Sequence, residues 1–147
     1  MEIKDLRIGN LVKTVDGVFL VSSISSDKVF LNTVFGPEPF EDYEINIVVL
    51  EPNNLRRLGF EIDNVSSNSL LAVAKYTEKL SEDVEVICKY NIWSNNETSL
   101  EITLKYKDRI PETFFKRNVF SVHQLQNAYF LLTGKEFNIE KFFIEED

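Results

Sequence analysis

The only histidine of the chain, His123, stands two residues after Ser121 and four before Asn127, in the stretch SVHQLQNAYFLLTG at 121–134. An imidazole next to a hydroxyl is the raw material of a general base and its nucleophile. Two features speak against that use. Ser121 and Gln124 fit an S-x-x-Q capping box, which engages the hydroxyl with backbone N–H groups, and no G-x-S-x-G elbow occurs in the chain. His123 has no cysteine or carboxylate at ligand spacing, so no metal site is expected, and a helix N-terminus disfavours the imidazolium form. The reading that remains is packing, or contact with a partner by His123 and Asn127, which share a helix face one turn apart.

Carboxylates are densest at Glu38, Glu41, Asp42 and Glu44. Paired acids serve glycosidases and hold calcium, but this spacing fits no calcium loop. Phe40 and Tyr43 lie among them, and aromatic rings offer large contact area at little rotamer cost. Glu38, Phe40, Glu41, Asp42, Tyr43 and Glu44 are therefore read as a solvated acidic loop able to bind a protein partner. Cys88 is the sole cysteine, which leaves no intramolecular disulfide and no thiolate zinc site. It reads as a small buried hydrophobe. The five glycines, at 9, 17, 36, 59 and 134, form neither G-x-G-x-x-G nor a P-loop, so no cofactor is expected.

The chain has 147 residues and a net charge of −8, with four basic and eight acidic residues in positions 1–50. That balance repels a phosphate backbone and argues against direct nucleic-acid binding. It suits a basic protein partner, including a nucleic-acid-binding enzyme. No window is long and apolar enough to span a membrane, and the start MEIKDLRIGN has no leader-like pattern, so a cytoplasmic protein is expected.

The elements that position these residues follow from periodicity. IGNLVKTV, Asp16-Gly17 and VFLVSSI predict a hairpin, and Ser25 to Asp27 a second turn before KVFLNTV. GPEP at 36–39 breaks the pattern and YEINIVVL resumes it. Four or five short strands suggest a small SH3-like curl over residues 1–50. In EPNNLRRLGFEI, Asn53 can cap a short helix that Gly59 and Phe60 end in a Schellman motif, with Arg56 and Arg57 in its last turn. Beyond Phe60 the period is two. Val84, Val86, Cys88, Tyr90 and Ile92 share one face, as do Leu100, Ile102, Leu104 and Tyr106, with a turn at SNNE between them. NSLLAVAKY at 68–76 predicts a third strand, and TEKLSED a loop or short helix. Ser121 and Gly134 bracket the last helix, whose stripe of Val122, Leu125, Ala128, Tyr129 and Leu132 is expected to cover the sheet. KEFNIEKFF reads as a last extended segment. The expected fold is α+β: an N-terminal SH3-like set of antiparallel strands, a short helix, and an antiparallel sheet covered by a C-terminal helix. The units are residues 1–50 and 51–147, which can equally pack as one compact unit, since no flexible linker separates them.

IGNLV at 8–12, LRRLGFE at 55–61 and VHQLQNAYFLLTGKEF at 122–137 together resemble a family of small uncharacterised proteins of Bacteroidetes bacteria, their phages and mobile elements. The likeness runs over most of the chain except residues 62–110, and Asn53 and Asn54 replace the acidic first turn usual before LGFE. It implies a phage or mobile-element setting and no mechanism. A small acidic protein in that setting is expected to act without catalysis, by binding a protein, in the manner of an anti-CRISPR inhibitor of a host nuclease. The alternatives are a self-assembling structural component and a hydrolase with a cryptic site.

Overall fold

The computed structural model describes residues 3–67 and 69–144. Two antiparallel meanders make up most of it, so the fold is α+β with strands predominating.

The first sheet runs β1 (Leu11–Thr14), β2 (Gly17–Ile24), β3 (Val29–Thr33) and β4 (Gly36–Phe40), in that spatial order. Its two outer hairpins are built alike: a threonine ends one strand, its hydroxyl accepts from a loop N–H, and a glycine opens the next. Thr14 accepts from Asp16 N at 3.1 Å and Thr33 from Phe35 N at 3.1 Å. Gly17 and Gly36 follow at φ 132° and 95°, which a side chain would resist. GPEPF is thus a strand and not the break that its prolines suggest. Pro37 and Pro39 are two apart on a sheet edge, so both missing N–H groups lie on the side with no neighbour.

YEINIVVL forms no strand. Asn46 pairs once with Lys13, exchanging bonds of 2.9 and 2.7 Å, which closes the free edge of β1. Val49 then bridges to Ser121, with Leu50 N donating to Phe120 O and Val122 N to Val48 O, both at 2.8 Å. This short segment joins the first sheet to the start of the last helix.

Helix α1 (Pro52–Arg57) has Glu51 as its cap and Pro52 in the first turn, so it starts two residues before the cap expected at Asn53. Proline needs no partner for its absent N–H there. The end is the Schellman motif read from the sequence: Phe60 N donates to Leu55 O and Gly59 N to Arg56 O, with Gly59 at φ 97°.

The second sheet runs β5 (Glu61–Ser67), β6 (Leu70–Lys79), β7 (Val84–Trp93), β8 (Thr98–Tyr106) and β9 (Glu112–Arg117). TEKLSED resolves into the end of β6 and a turn, because Thr77 to Lys79 pair with Ile87 to Glu85. Helix α2 (Val122–Thr133) lays Val122, Leu125 and Tyr129 on this sheet, and both of its caps are present. Gln124 N donates to Ser121 Oγ and Ser121 N to Gln124 Oε1, each at 3.3 Å, and Gly134 adopts φ 72°. KEFNIEKFF is not extended: residues 140–142 form a 3-10 turn.

One hydrophobic core unites residues from both sides of position 50, including Leu11, Val48, Leu50, Phe60, Val86, Tyr90, Leu125 and Tyr129. A smaller cluster of Leu6, Val12, Val21, Val29, Leu31 and Ile45 lies on the opposite face of the first sheet. Leu11 and Val12 point to opposite faces and are both fully buried, so β1 is covered on two sides.

Candidate protein-binding site

Helix α2 has a second buried face that its apolar stripe does not announce. Gln126, 1% exposed, accepts from Leu11 N at 2.8 Å and donates to Gly9 O at 3.0 Å. Asn127 accepts from Arg7 Nε at 3.1 Å and from Asn10 Nδ2 at 2.7 Å, and donates to Asp5 O at 3.3 Å. Arg7 also bonds Glu136 and lies 4.2 Å over the Phe130 ring. Polar side chains suit this seam, because they meet backbone groups at the end of β1 that water would otherwise satisfy. Residues 7–11 and the Gln126–Asn127 pair of α2 therefore meet in space and fasten the first sheet to the last helix.

His123 lies beside this seam, 5% exposed, with Nδ1 buried and without a hydrogen-bond partner among the described residues. Burial pushes its pKa down; Asp5 acts to raise it and Lys116 adds to the lowering. The imidazole lines a hollow of about 440 Å³ with Asp5, Lys116 and Asn127. It is a neutral ring held in a wall, with its flanking charges of opposite sign.

The acidic loop is sorted by the strand that enters it. Phe40 turns inward, stacks on Phe19 with ring centroids 6.5 Å apart, and packs on the smaller cluster. Glu38 is half-buried. Glu44 accepts from Glu41 N at 3.0 Å, and Glu41 lies 3.9 Å from the Lys28 ammonium. What faces outward is Asp42, Glu44 and Tyr43, the last 80% exposed. Asp42 shares a hollow of about 470 Å³ with Asp27, Ser26, Ile3 and Lys4. The loop and the His123 and Asn127 pair thus line separate hollows.

Three features escaped the sequence reading. Glu78 accepts from the hydroxyls of Tyr76, at 3.0 Å, and Tyr129, and pairs with Lys135 at 3.5 Å. Burial raises the Glu78 carboxyl, but the two phenols and Lys135 outweigh it and leave the group below its ordinary value. Burial and Glu78 push Tyr76 up to about 12 and Tyr129 higher still. Neither phenol ionises near neutral pH, so the network is a clamp between sheet and helix. Its signal was a carboxylate on the inward face of β6, in line with Ala72, Ala74 and Tyr76. The β3–β4 hairpin tip exposes Val34 and Phe35 almost fully. Finally, every residue of β9 is exposed although β9 belongs to the larger sheet.

Among the described residues no group of three or more His, Cys, Asp or Glu side chains could hold a metal ion, and no helix is long and apolar enough to cross a membrane. Comparison with family models, curated proteins and solved structures gave no match.

Proposed function

We propose that the protein acts without a chemical step of its own, by binding a basic protein at the Asp42–Tyr43 end of the first sheet. The observation that carries this reading is Tyr43, 80% exposed, with Asp42 and Glu44 exposed on either side of it. A partner lysine or arginine reaching this end meets the Asp27 and Asp42 carboxylates around a hollow that Lys4 also lines, and the exposed Tyr43 ring next to Asp42 in the chain. A net charge of −8 adds long-range attraction for such a partner. The return of Asn46 to β1 supports the SH3-like reading of residues 1–50, by analogy of architecture. In the phage or mobile-element setting that the family resemblance implies, a host nucleic-acid-handling enzyme has the matching charge, and inhibition of a defence nuclease is the specific form of the proposal.

The test is affinity capture from a bacterial lysate with wild-type protein, Tyr43→Ala and Asp42→Lys. A single basic protein should be retained at low salt and released as salt rises. Tyr43→Ala should weaken retention roughly 30-fold, the effect of losing a central aromatic anchor worth about 2 kcal/mol. Asp42 is the acid to reverse, since Glu41 already faces Lys28. Retention that is equal for all three proteins and insensitive to salt would remove this face from consideration.

A further inference from the structure

Among the described residues β9 has β8 as its only strand neighbour, and its sequence ETFFKR sets two phenylalanines between charged ends on that unpaired edge. Phe114 and Phe115 are 42% and 54% exposed. At ~200 Å² per phenylalanine, about 190 Å² of ring is left in water on one short strand. On the α2 side, Phe114 borders an apolar hollow of about 190 Å³ floored by Leu100, Ile102 and Leu132, and Leu131 stands at its rim 84% exposed.

The free backbone groups of the edge can be identified. Asn118 N donates to Thr98 O at 2.7 Å, continuing the β8–β9 register in which Arg117 faces Ser99. Backbone groups alternate in direction along an antiparallel strand. Those of Thr113, Phe115 and Arg117 therefore point away from β8, into solvent. Side chains alternate as well: Glu112, Phe114 and Lys116 lie opposite Leu104, Ile102 and Leu100, on the α2 side, while Thr113, Phe115 and Arg117 lie on the other.

We propose that two copies of the chain pair along β9, antiparallel about a two-fold axis normal to the sheet, and so join their larger sheets into one. Such an axis keeps each face of the sheet on its own side, so residues opposed across it must share a face. The register centred on Phe114 meets that condition and is self-complementary. Phe114 faces its own copy over the hollows, and Glu112 faces Lys116 of the second copy, twice by symmetry. Thr113 faces Phe115, so the outward backbone groups of both become the new ladder. Pro111, which has no N–H, limits its length. A shift by two residues in either direction sets Phe114 against Lys116 or against Glu112 and breaks the charge pairs. Lysine on an edge ordinarily deters pairing. Here Glu112, placed four residues before Lys116, turns that deterrent into half of a matched pair. The ladder is short, so association on the order of 10 µM is expected. This surface belongs to the larger sheet and is independent of the Tyr43 face.

Sedimentation velocity from about 1 to 500 µM reads the result, with circular dichroism to establish that each variant is folded. Wild type should shift from monomer to dimer. Thr113→Pro, which removes an outward N–H and leaves the β8 ladder intact, should be monomeric throughout. Glu112→Lys alone and Lys116→Glu alone should also be monomeric, since each sets like charges opposite. An equimolar mixture of those two variants should dimerise, because every opposed pair is then of opposite sign. Wild type that stays monomeric at 500 µM, a dimer that survives Thr113→Pro, or a mixture that stays monomeric would each overturn the proposal. None of these results alters capture at the Tyr43 face.

Discussion

Replacing Gln126 by alanine removes the link between the last helix and the first strand without touching the apolar stripe. Its side chain is 1% exposed, accepts from Leu11 N and donates to Gly9 O. Leu11 is fully buried, so after the substitution its N–H has no protein partner and little access to water. An orphaned buried donor costs about 1–3 kcal/mol, and the space left by the amide adds to that. The expected loss is about 3 kcal/mol. For a chain of 147 residues this lowers the midpoint of thermal unfolding by about 6–12 °C. Urea titration at 25 °C should show a lower midpoint with an unchanged slope, as for a pure stability change. Gln126→Glu sharpens the test. At pH 7 its carboxylate still accepts from Leu11 N but confronts the Gly9 carbonyl oxygen, so two acceptors face each other. Protonation restores a donor, and the deficit relative to wild type should narrow as pH falls from 7 to 5. A loss below about 0.5 kcal/mol in Gln126→Ala, or a deficit in Gln126→Glu that does not change with pH, would refute the assignment of Gln126 as a tie between helix α2 and the start of β1.

The pKa of His123 is held below its ordinary 6.5, so its contribution to stability is complete above 6.5 and is lost as pH falls from there through the folded value. His123→Gln should flatten the decline between pH 7 and 5, measured by urea midpoints, whereas parallel curves would contradict a buried neutral ring. Tyr129→Phe should cost about 1–2 kcal/mol at pH 7 through loss of its bond to Glu78, discounted because that carboxylate is partly exposed. Glu78 is held below its ordinary 4.5, so this penalty should shrink as pH falls from 4.5 through the folded value, and a constant penalty would count against the clamp. Cys88 is fully buried, and burial with Glu78 pushes its thiol up to about 12. A thiol reagent at pH 8 should modify it only after denaturant is added; rapid modification of the folded protein would show that β7 opens.

What the sequence made legible follows from how each element is covered. Strands β7 and β8 turn an apolar face to the core and a more polar one away from it, so Val86, Cys88 and Tyr90 alternate with Glu85, Lys89 and Asn91, Ile87 being the exception. Helix α2 is bracketed by Ser121 and Gly134, whose side-chain chemistry is local and needs no knowledge of the rest of the fold. Strand β9 is exposed on both faces, so ETFFKR has no alternation to read. Strand β4 was hidden by prolines that only an edge admits. The acidic loop was legible as composition but not as a surface: membership of β4 draws Phe40 inward and leaves Tyr43 outside. Packing of His123 was legible, but not against what: it lies off the apolar stripe, and α2 is covered by two sheets, the second contact being polar. Local pattern cannot announce a seam whose partners, Arg7 and Asn127, are 120 positions apart.

That separation bears on how the chain matures during synthesis. The groups near β1 that meet Gln126 and Asn127 emerge from the ribosome long before the helix that receives them, and Leu50 also precedes its partner Phe120, by a shorter interval. At about 5–20 residues per second, the interval between the two is of order ten seconds. The first meander can gather its own small cluster in that time, but its other side stays wetted until the final helix arrives. The nascent protein therefore passes through a stage in which Leu11 and its neighbours are open to chaperones, and closure of this seam waits for α2 to be translated.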